Sequence, residues 1–181
     1  MKDILFFSIF ILFYTSVFSQ EAKPRKGSII ENFGQIYSVQ NPDLLLDKNK
    51  KYKVIFDIYS DVKSNKKMNT SINTVARFIN MHAEQGISLE NLDIALVLHG
   101  EATKNALSDA AYMKKFKVKN PNNELLKALE KTKVELFVCG QSFMHHGYRN
   151  MDLNENVQLA LSALTALTYY QTEGYQLITF N

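Results

Sequence analysis

The chain has 181 residues, a net charge of +3 and a single cysteine. This length is typical of one domain with its own hydrophobic core. A single cysteine excludes an intramolecular disulfide, so the core must depend on packing. Lysines cluster at residues 48–53, 63–67 and 114–119, and we interpret these clusters as solvated faces rather than a groove for nucleic acid.

Residues 1–19 have the pattern of a signal peptide. Lys2 supplies a positive charge, residues 4–18 are almost entirely apolar, and Ser19 is a small residue that suits a cleavage site. The apolar run is shorter than the roughly 20 residues that span a bilayer. We therefore predict an exported, periplasmic protein without stable membrane insertion after cleavage. An uncleaved N-terminal anchor is the alternative.

Residues 20–51 are predicted to form an N-terminal arm that lies across the domain surface. Gly27 and Gly34 interrupt this segment, and residues 36–39 have the pattern of a short edge strand. A turn then leads into three consecutive leucines at residues 44–46.

Predicted strands and helices alternate from residue 52 to residue 181. The predicted strands cover residues 52–59, 92–98, 134–138, 157–161 and 175–180. The predicted helices cover residues 68–85, 103–116, 120–131, 141–146 and 162–173, and the one over residues 103–116 is irregular. Such alternation is typical of a parallel sheet with helices on both faces. We therefore predict that residues 52–181 form one α/β domain.

The stretch from residue 134 to residue 147 carries the strongest chemical signal. An apolar, strand-like run ends at Cys139, and Gly140 allows a tight turn into a helix that starts with Gln141 and Ser142. A cysteine in this position faces the positive end of the helix dipole, which lowers the pKa of its thiol. We predict a reactive thiolate that is accessible from a cleft. The alternative is a structural cysteine that fills space as a small hydrophobic residue.

Three predicted strands end in polar or reactive residues. Asp61 follows the first strand closely, His99 and Gly100 follow the second, and Cys139 ends the third. Because ligands of parallel α/β sheets bind at the carboxyl ends of the strands, these residues indicate one shared site. His99 is a candidate proton acceptor for Cys139. The alternative is a histidine that bonds a loop carbonyl.

Other chemistries have weaker support in the sequence. A zinc or copper site built from Cys139, His99, His145 and His146 would lack the usual ligand spacing, and adjacent histidines on a helix point about 100° apart. The sequence also lacks glycine-rich phosphate loops and the Gly-x-Ser-x-Gly motif. We therefore predict no metal and no cofactor.

Four short motifs follow one another along the domain. They are Val97-Leu98-His99-Gly100, Asn120-Pro121-Asn122, Val138-Cys139-Gly140-Gln141-Ser142 and Gly174-Tyr175-Gln176-Leu177-Ile178. In this order and spacing they resemble the DsrE-like (DsrE/DsrF-like) family of sulfur-relay proteins, and more narrowly its exported, single-domain branch. The resemblance implies a three-layer α/β/α domain with a five-stranded, mainly parallel sheet, often assembled as trimers or hexamers.

The best-understood members of that family pass persulfide sulfur along a relay, using the cysteine at the position matched here by Cys139. The resemblance therefore implies that Cys139 binds or relays sulfane sulfur, or carries another thiol adduct, with a sulfur donor or acceptor protein as partner. We expect the site to be lined by His99, Gly100, Gly140, Gln141 and Ser142. The alternative is a non-catalytic oligomeric module that binds a small ligand or a protein.

Residues 161–170 predict a homo-oligomer. Leu161, Leu164, Leu167 and Tyr170 recur every three residues, and the stretch contains no charged side chain. A surface helix of a monomer normally carries charges on its outer face, so we expect a second subunit to cover this helix. The alternative is that the serine and threonine side chains of the same helix form an adequately polar face.

Overall fold

The structure is a computed structural model that describes residues 22–180. The predicted signal peptide at residues 1–19 lies outside the described residues. The strands are β1 (Tyr52–Ile58), β2 (Leu92–Leu98), β3 (Glu135–Cys139), β4 (Gln158–Ala160) and β5 (Gln176–Thr179). The α-helices are α1 (Thr70–Glu84), α2 (Asp109–Phe116), α3 (Asn123–Lys131), α4 (Gly140–His145) and α5 (Ala163–Thr172). Short 3₁₀ helices cover Leu89–Asn91, Gly100–Ala106 and Asn150–Asp152.

The five strands form one sheet in the order β4-β3-β2-β1-β5, and every pair is parallel. This confirms the predicted α/β fold, and the sheet is parallel throughout. The central strand β2 is an almost continuous apolar run because both of its faces are buried. Its Val97 lies opposite Asp57 of β1 and Phe137 of β3, which fixes the register across the middle of the sheet.

The two faces of the sheet are covered differently. One face carries the main core, in which side chains of α1 and α3 pack on alternate residues of the strands such as Phe56 and Leu96. On the other face α5 packs on β1 and β2. There Ala163 and Ala166 are close to Val97, and Tyr170 packs on Ile55. The carboxyl end of β3 therefore lies beneath the start of α5.

The N-terminal arm is held against α1 by the buried side chain of Asn80. Its Nδ2 donates to the carbonyl oxygens of Ile30, Phe33 and Gly34 at 3.0–3.1 Å, and its Oδ1 accepts from the Ile30 N–H at 3.0 Å. The prediction of a strand at residues 36–39 is wrong, because this segment forms a single antiparallel bridge, which joins Ile36 to Arg25.

The helix predicted over residues 103–116 is divided into two pieces. The first is the 3₁₀ helix Gly100–Ala106, and Leu107 after it is extended. Ser108 then caps α2, since its hydroxyl accepts a hydrogen bond from the Ala111 N–H at 3.3 Å. Among the helices of residues 22–180, none has both the length and the apolar character needed to cross a membrane.

Candidate functional site

Cys139 ends β3 and caps the N-terminus of α4. Its Sγ accepts a hydrogen bond from the Ser142 N–H at 3.4 Å. The side chain packs with Val97 of β2 and with Ala163 and Ala166 of α5, and the residue is only 5% exposed. The expectation of an accessible thiol is therefore wrong for the folded chain, because the first turn of α5 covers the sulfur.

The surroundings of Cys139 favour its ionised form despite this burial. Burial alone would raise the pKa of the thiol, since a charged sulfur loses its contact with water. Hydrogen bonds from the Ser142 hydroxyl and from the N–H groups of Ser142, Ala163 and Gln141 act in the opposite direction. Together they hold the pKa of Cys139 below its ordinary value, which is the predicted direction.

Ser142 links Cys139 to the end of β2. The Gly100 N–H lies 3.4 Å from the Ser142 Oγ and donates to it, so the hydroxyl hydrogen is available for the cysteine sulfur. Gly100 has φ +53°, and a Cβ at this position would lie 2.3 Å from the Tyr59 ring. Glycine is therefore required here for both backbone conformation and space. His146 Nε2 lies 3.1 Å from the Gly100 carbonyl oxygen, on the other side of the same residue.

Gly140 has no room for a Cβ, as expected, but the obstruction does not come from the turn. Its φ is not positive, so the turn itself does not demand glycine. Instead the backbone after β4 approaches closely, and a Cβ on Gly140 would lie 2.7 Å from the Ala160 carbonyl oxygen. The Gln141 Nε2 donates to the Leu161 carbonyl oxygen at 3.4 Å. Both residues therefore hold α4 against the segment that leads into α5.

His99 is paired with an acid that the sequence did not identify as part of the site. His99 Nε2 lies 2.6 Å from Asp57 Oδ1, and the edge of the ring meets Tyr59 at a centroid distance of 5.2 Å. Leu98 and Val138 are register partners, so the next residues, His99 and Cys139, are neighbours on the same face of the sheet. Within residues 22–180, no hydrogen bond joins His99 to Cys139.

Asp57 had one recognisable signal in the sequence. It is an acid between the apolar residues Phe56 and Ile58 of β1, and acids in such positions are rarely buried without a partner. Asp61, in contrast, does not join Cys139. It pairs with Lys104 Nζ at 3.0 Å and accepts from the Asn69 Nδ2 at 3.0 Å, so it supports the loop after β1.

Within residues 22–180, neither a metal cluster nor the cavity at the other end of the strands coincides with these residues. Within residues 22–180, no group of three or more His, Cys, Asp or Glu side chains could hold a metal ion. A cavity of about 500 Å³ lies at the opposite, amino-terminal edge of the strands, where Asp93, Glu135 and Tyr175 line it. The chemical groups at the carboxyl edge are therefore Cys139 with its donors and the Asp57–His99 pair.

Comparisons with known proteins agree with this architecture. A search of curated proteins finds no match. A solved structure described as a protein of unknown function, MTH1491 from Methanobacterium thermoautotrophicum, is similar with a TM-score of 0.55 and 21% identity, covering 72% of this chain and 100% of that chain. The ychN protein from E. coli is similar with a TM-score of 0.52 and 18% identity, covering 71% of this chain and 99% of that chain.

These identities show a shared fold alone. The sequence model of the DsrE/DsrF-like family, however, matches residues 53–180, which is most of the chain. The match includes all five strands and leaves out Tyr52, the first residue of β1. The chain therefore belongs to the DsrE/DsrF-like family.

Proposed function

We propose that this protein is an exported sulfur carrier that binds or relays sulfane sulfur as a persulfide on Cys139. The observation that carries the proposal is the set of hydrogen-bond donors around the Cys139 sulfur, which come from Ser142, Gln141 and the first residue of α5. Such donors stabilise a sulfur anion, and a thiolate is the nucleophile in sulfur transfer. Membership in a family associated with sulfur relay supports the same assignment.

In the proposed loading step, the Cys139 thiolate attacks the outer sulfur of a donor persulfide. A new S–S bond forms to Cys139, the S–S bond of the donor breaks, and the donor leaves as a thiolate that takes up a proton. No net oxidation occurs. The persulfide then remains next to the Ser142 hydroxyl, which Gly100 orients. Since α5 covers Cys139, the start of this helix must move before a donor can reach the sulfur.

The proposal includes export to the periplasm, a homo-oligomeric state of trimers or hexamers, and a sulfur donor or acceptor protein as partner. The composition of residues 1–19 supports export. The oligomer is supported by large apolar side chains that the single chain leaves exposed on and before α5, namely Leu161, Leu164 and Tyr169.

A second candidate is a non-catalytic oligomeric binding module in which Cys139 is structural. The burial of Cys139 between Val97 and Ala163 favours this candidate, because buried cysteines often act as small hydrophobic residues. The two candidates differ in whether the folded protein accepts sulfur.

The test uses residues 20–181, incubated with inorganic polysulfide and examined by intact mass spectrometry. We expect an added mass of one sulfur atom that a reductant removes, and Cys139→Ser should show no addition. The variant Cys139→Ser keeps the size of the side chain, so it should remain folded. Wild-type protein that shows no added sulfur, while the urea-unfolded chain reacts, would support the structural role instead.

A further inference from the structure

The Asp57–His99 pair is the second chemical group at the carboxyl edge of the sheet. Both side chains are about a fifth exposed, so each is partly covered and within reach of an approaching molecule. We propose that Asp57 positions His99 as the base that takes the proton from an incoming acceptor thiol. The inference rests on the proposed function, because it concerns the step that unloads the Cys139 persulfide.

The contact with Asp57 fixes which ring nitrogen of His99 is free. A carboxylate only accepts hydrogen bonds, so Nε2 at 2.6 Å must carry the proton of this contact. In the neutral ring Nδ1 is then the basic nitrogen. Within the described part of the chain Nδ1 has no hydrogen-bond partner. Edge-to-face packing against Tyr59 restricts the ring further.

The Asp57–His99 pair is better placed to take a proton from an incoming acceptor than from Cys139. Asp57 is the register partner of Thr179 on β5, and the chain order of the strands reverses between β1 and β5. Ligands of open α/β sheets bind at such reversals. Cys139 lies on the other side of His99 and already has donors from Ser142. His99 therefore lies between the reversal at β1 and β5, where the acceptor would enter, and the loaded sulfur of Cys139.

The proposed unloading step balances without an oxidant or a reductant. The acceptor is a thiol, R–SH, and Nδ1 of His99 takes its proton as the acceptor sulfur attacks the outer sulfur of the Cys139 persulfide. A new S–S bond forms to the acceptor, and the S–S bond to Cys139 breaks. Cys139 leaves as a thiolate that Ser142 stabilises. The imidazolium next to Asp57 then returns its proton to solvent or to the product.

The experiment compares two acceptors that differ in whether a proton must be removed. Protein loaded with inorganic polysulfide is mixed with 2-mercaptoethanol or with sulfite at a mildly alkaline pH, where sulfite is ionised and the thiol remains largely protonated. Sulfite yields thiosulfate without the help of a base. The variants are His99→Gln, which keeps a donor for Asp57, and Asp57→Asn. The control Asp93→Asn changes a strand acid at the opposite edge of the sheet, where it pairs with Lys51.

We expect transfer to the thiol to slow about 100-fold in His99→Gln, which is at the lower end of the usual contribution of a general base. In Asp57→Asn we expect a loss of about tenfold or more, because the ring loses its fixed tautomer. Transfer to sulfite should change in neither variant, and Asp93→Asn should behave as the wild type. A purely structural role for the pair would slow both acceptors alike, and this outcome would overturn the inference.

A spectroscopic measurement tests the positioning step independently of transfer. The ¹⁵N NMR spectrum of the wild type should show His99 protonated on Nε2 alone, and Asp57→Asn should show a mixture of tautomers. A wild-type spectrum with the proton on Nδ1 would contradict the inference. If the wild type never carries a persulfide, the proposed function fails and the inference fails with it. Loading that succeeds with equal thiol transfer in all variants rejects the inference alone.

Discussion

At the scale of single residues, the site depends on hydrogen-bond donors that converge on one sulfur. Ser142 contributes both its hydroxyl and its N–H. The Gly100 N–H donates to the hydroxyl oxygen of Ser142, so the hydroxyl hydrogen can point toward Cys139. The first residue of α5 contributes a further N–H. Two helix N-termini therefore meet at the sulfur, and their dipoles have the sign that favours an anion.

Removal of the Ser142 hydroxyl should raise the pKa of Cys139. The thiolate would lose a donor while burial, which raises the pKa, would remain. In Ser142→Ala we expect the pH midpoint of Cys139 alkylation to rise by about 1 unit, the size of one hydrogen bond to a charged group. The wild-type midpoint should lie below about 8.5, the value of a free thiol. Below the wild-type midpoint the variant should therefore react more slowly.

The control for this prediction is Ser71→Ala on α1, a helix that packs on the opposite face of the sheet. Its alkylation profile should overlay that of the wild type. Equal midpoints for Ser142→Ala and the wild type would show that the hydroxyl does not act on the sulfur.

At the scale of the elements, the sequence predicts what is local and misses what depends on register. β2 is predicted at its observed bounds, because a strand buried on both faces is a continuous apolar run. The strand–Cys139–helix junction is equally local. The Asp57–His99 contact joins residues 42 positions apart, and only the pairing of β1 with β2 brings them together. The irregularity of residues 103–116 is predicted, but its position at Ser108 is not, because the sequence alone does not distinguish a capping serine from a serine inside a helix.

The attachment of the N-terminal arm to α1 gives a prediction about stability. Asn80 satisfies several backbone groups of the arm from a fully buried position. In Asn80→Ala these groups would remain buried without partners, which costs about 1–3 kcal/mol for each group. We expect the free energy of unfolding in urea to fall by about 2–4 kcal/mol, with faster proteolysis between residues 25 and 36.

The exposed neighbour Met81 provides the control, and Met81→Ala should change stability by less than about 0.5 kcal/mol. Equal stability of the two variants would show that the arm does not depend on Asn80.

At the scale of the whole molecule, the two layers of helices are unequal. Several helices and the arm cover one face of the sheet, and α5 crosses the other. Ala163, Ala166 and Tyr170 are the buried residues of α5. Small residues bring this helix close to the sheet, whereas the large Leu164 points away from it and is 78% exposed. An apolar helix surface of this kind is unusual for a monomer.

The proposed oligomer therefore predicts different roles for the two sides of α5. Leu164→Lys should leave the fold intact, because Leu164 does not contribute to the core, but it should place a charge in the proposed interface. By light scattering at micromolar concentration, we expect wild-type residues 20–181 to have the mass of a trimer or hexamer, and Leu164→Lys to have the mass of one folded chain. Met151 is equally exposed at 76% but lies outside α5, so Met151→Lys should assemble as the wild type does. A wild-type mass of one chain that stays constant on concentration would contradict the oligomer. In that case Ser162 and the threonine side chains of α5 would suffice to keep the outer surface of this helix in water.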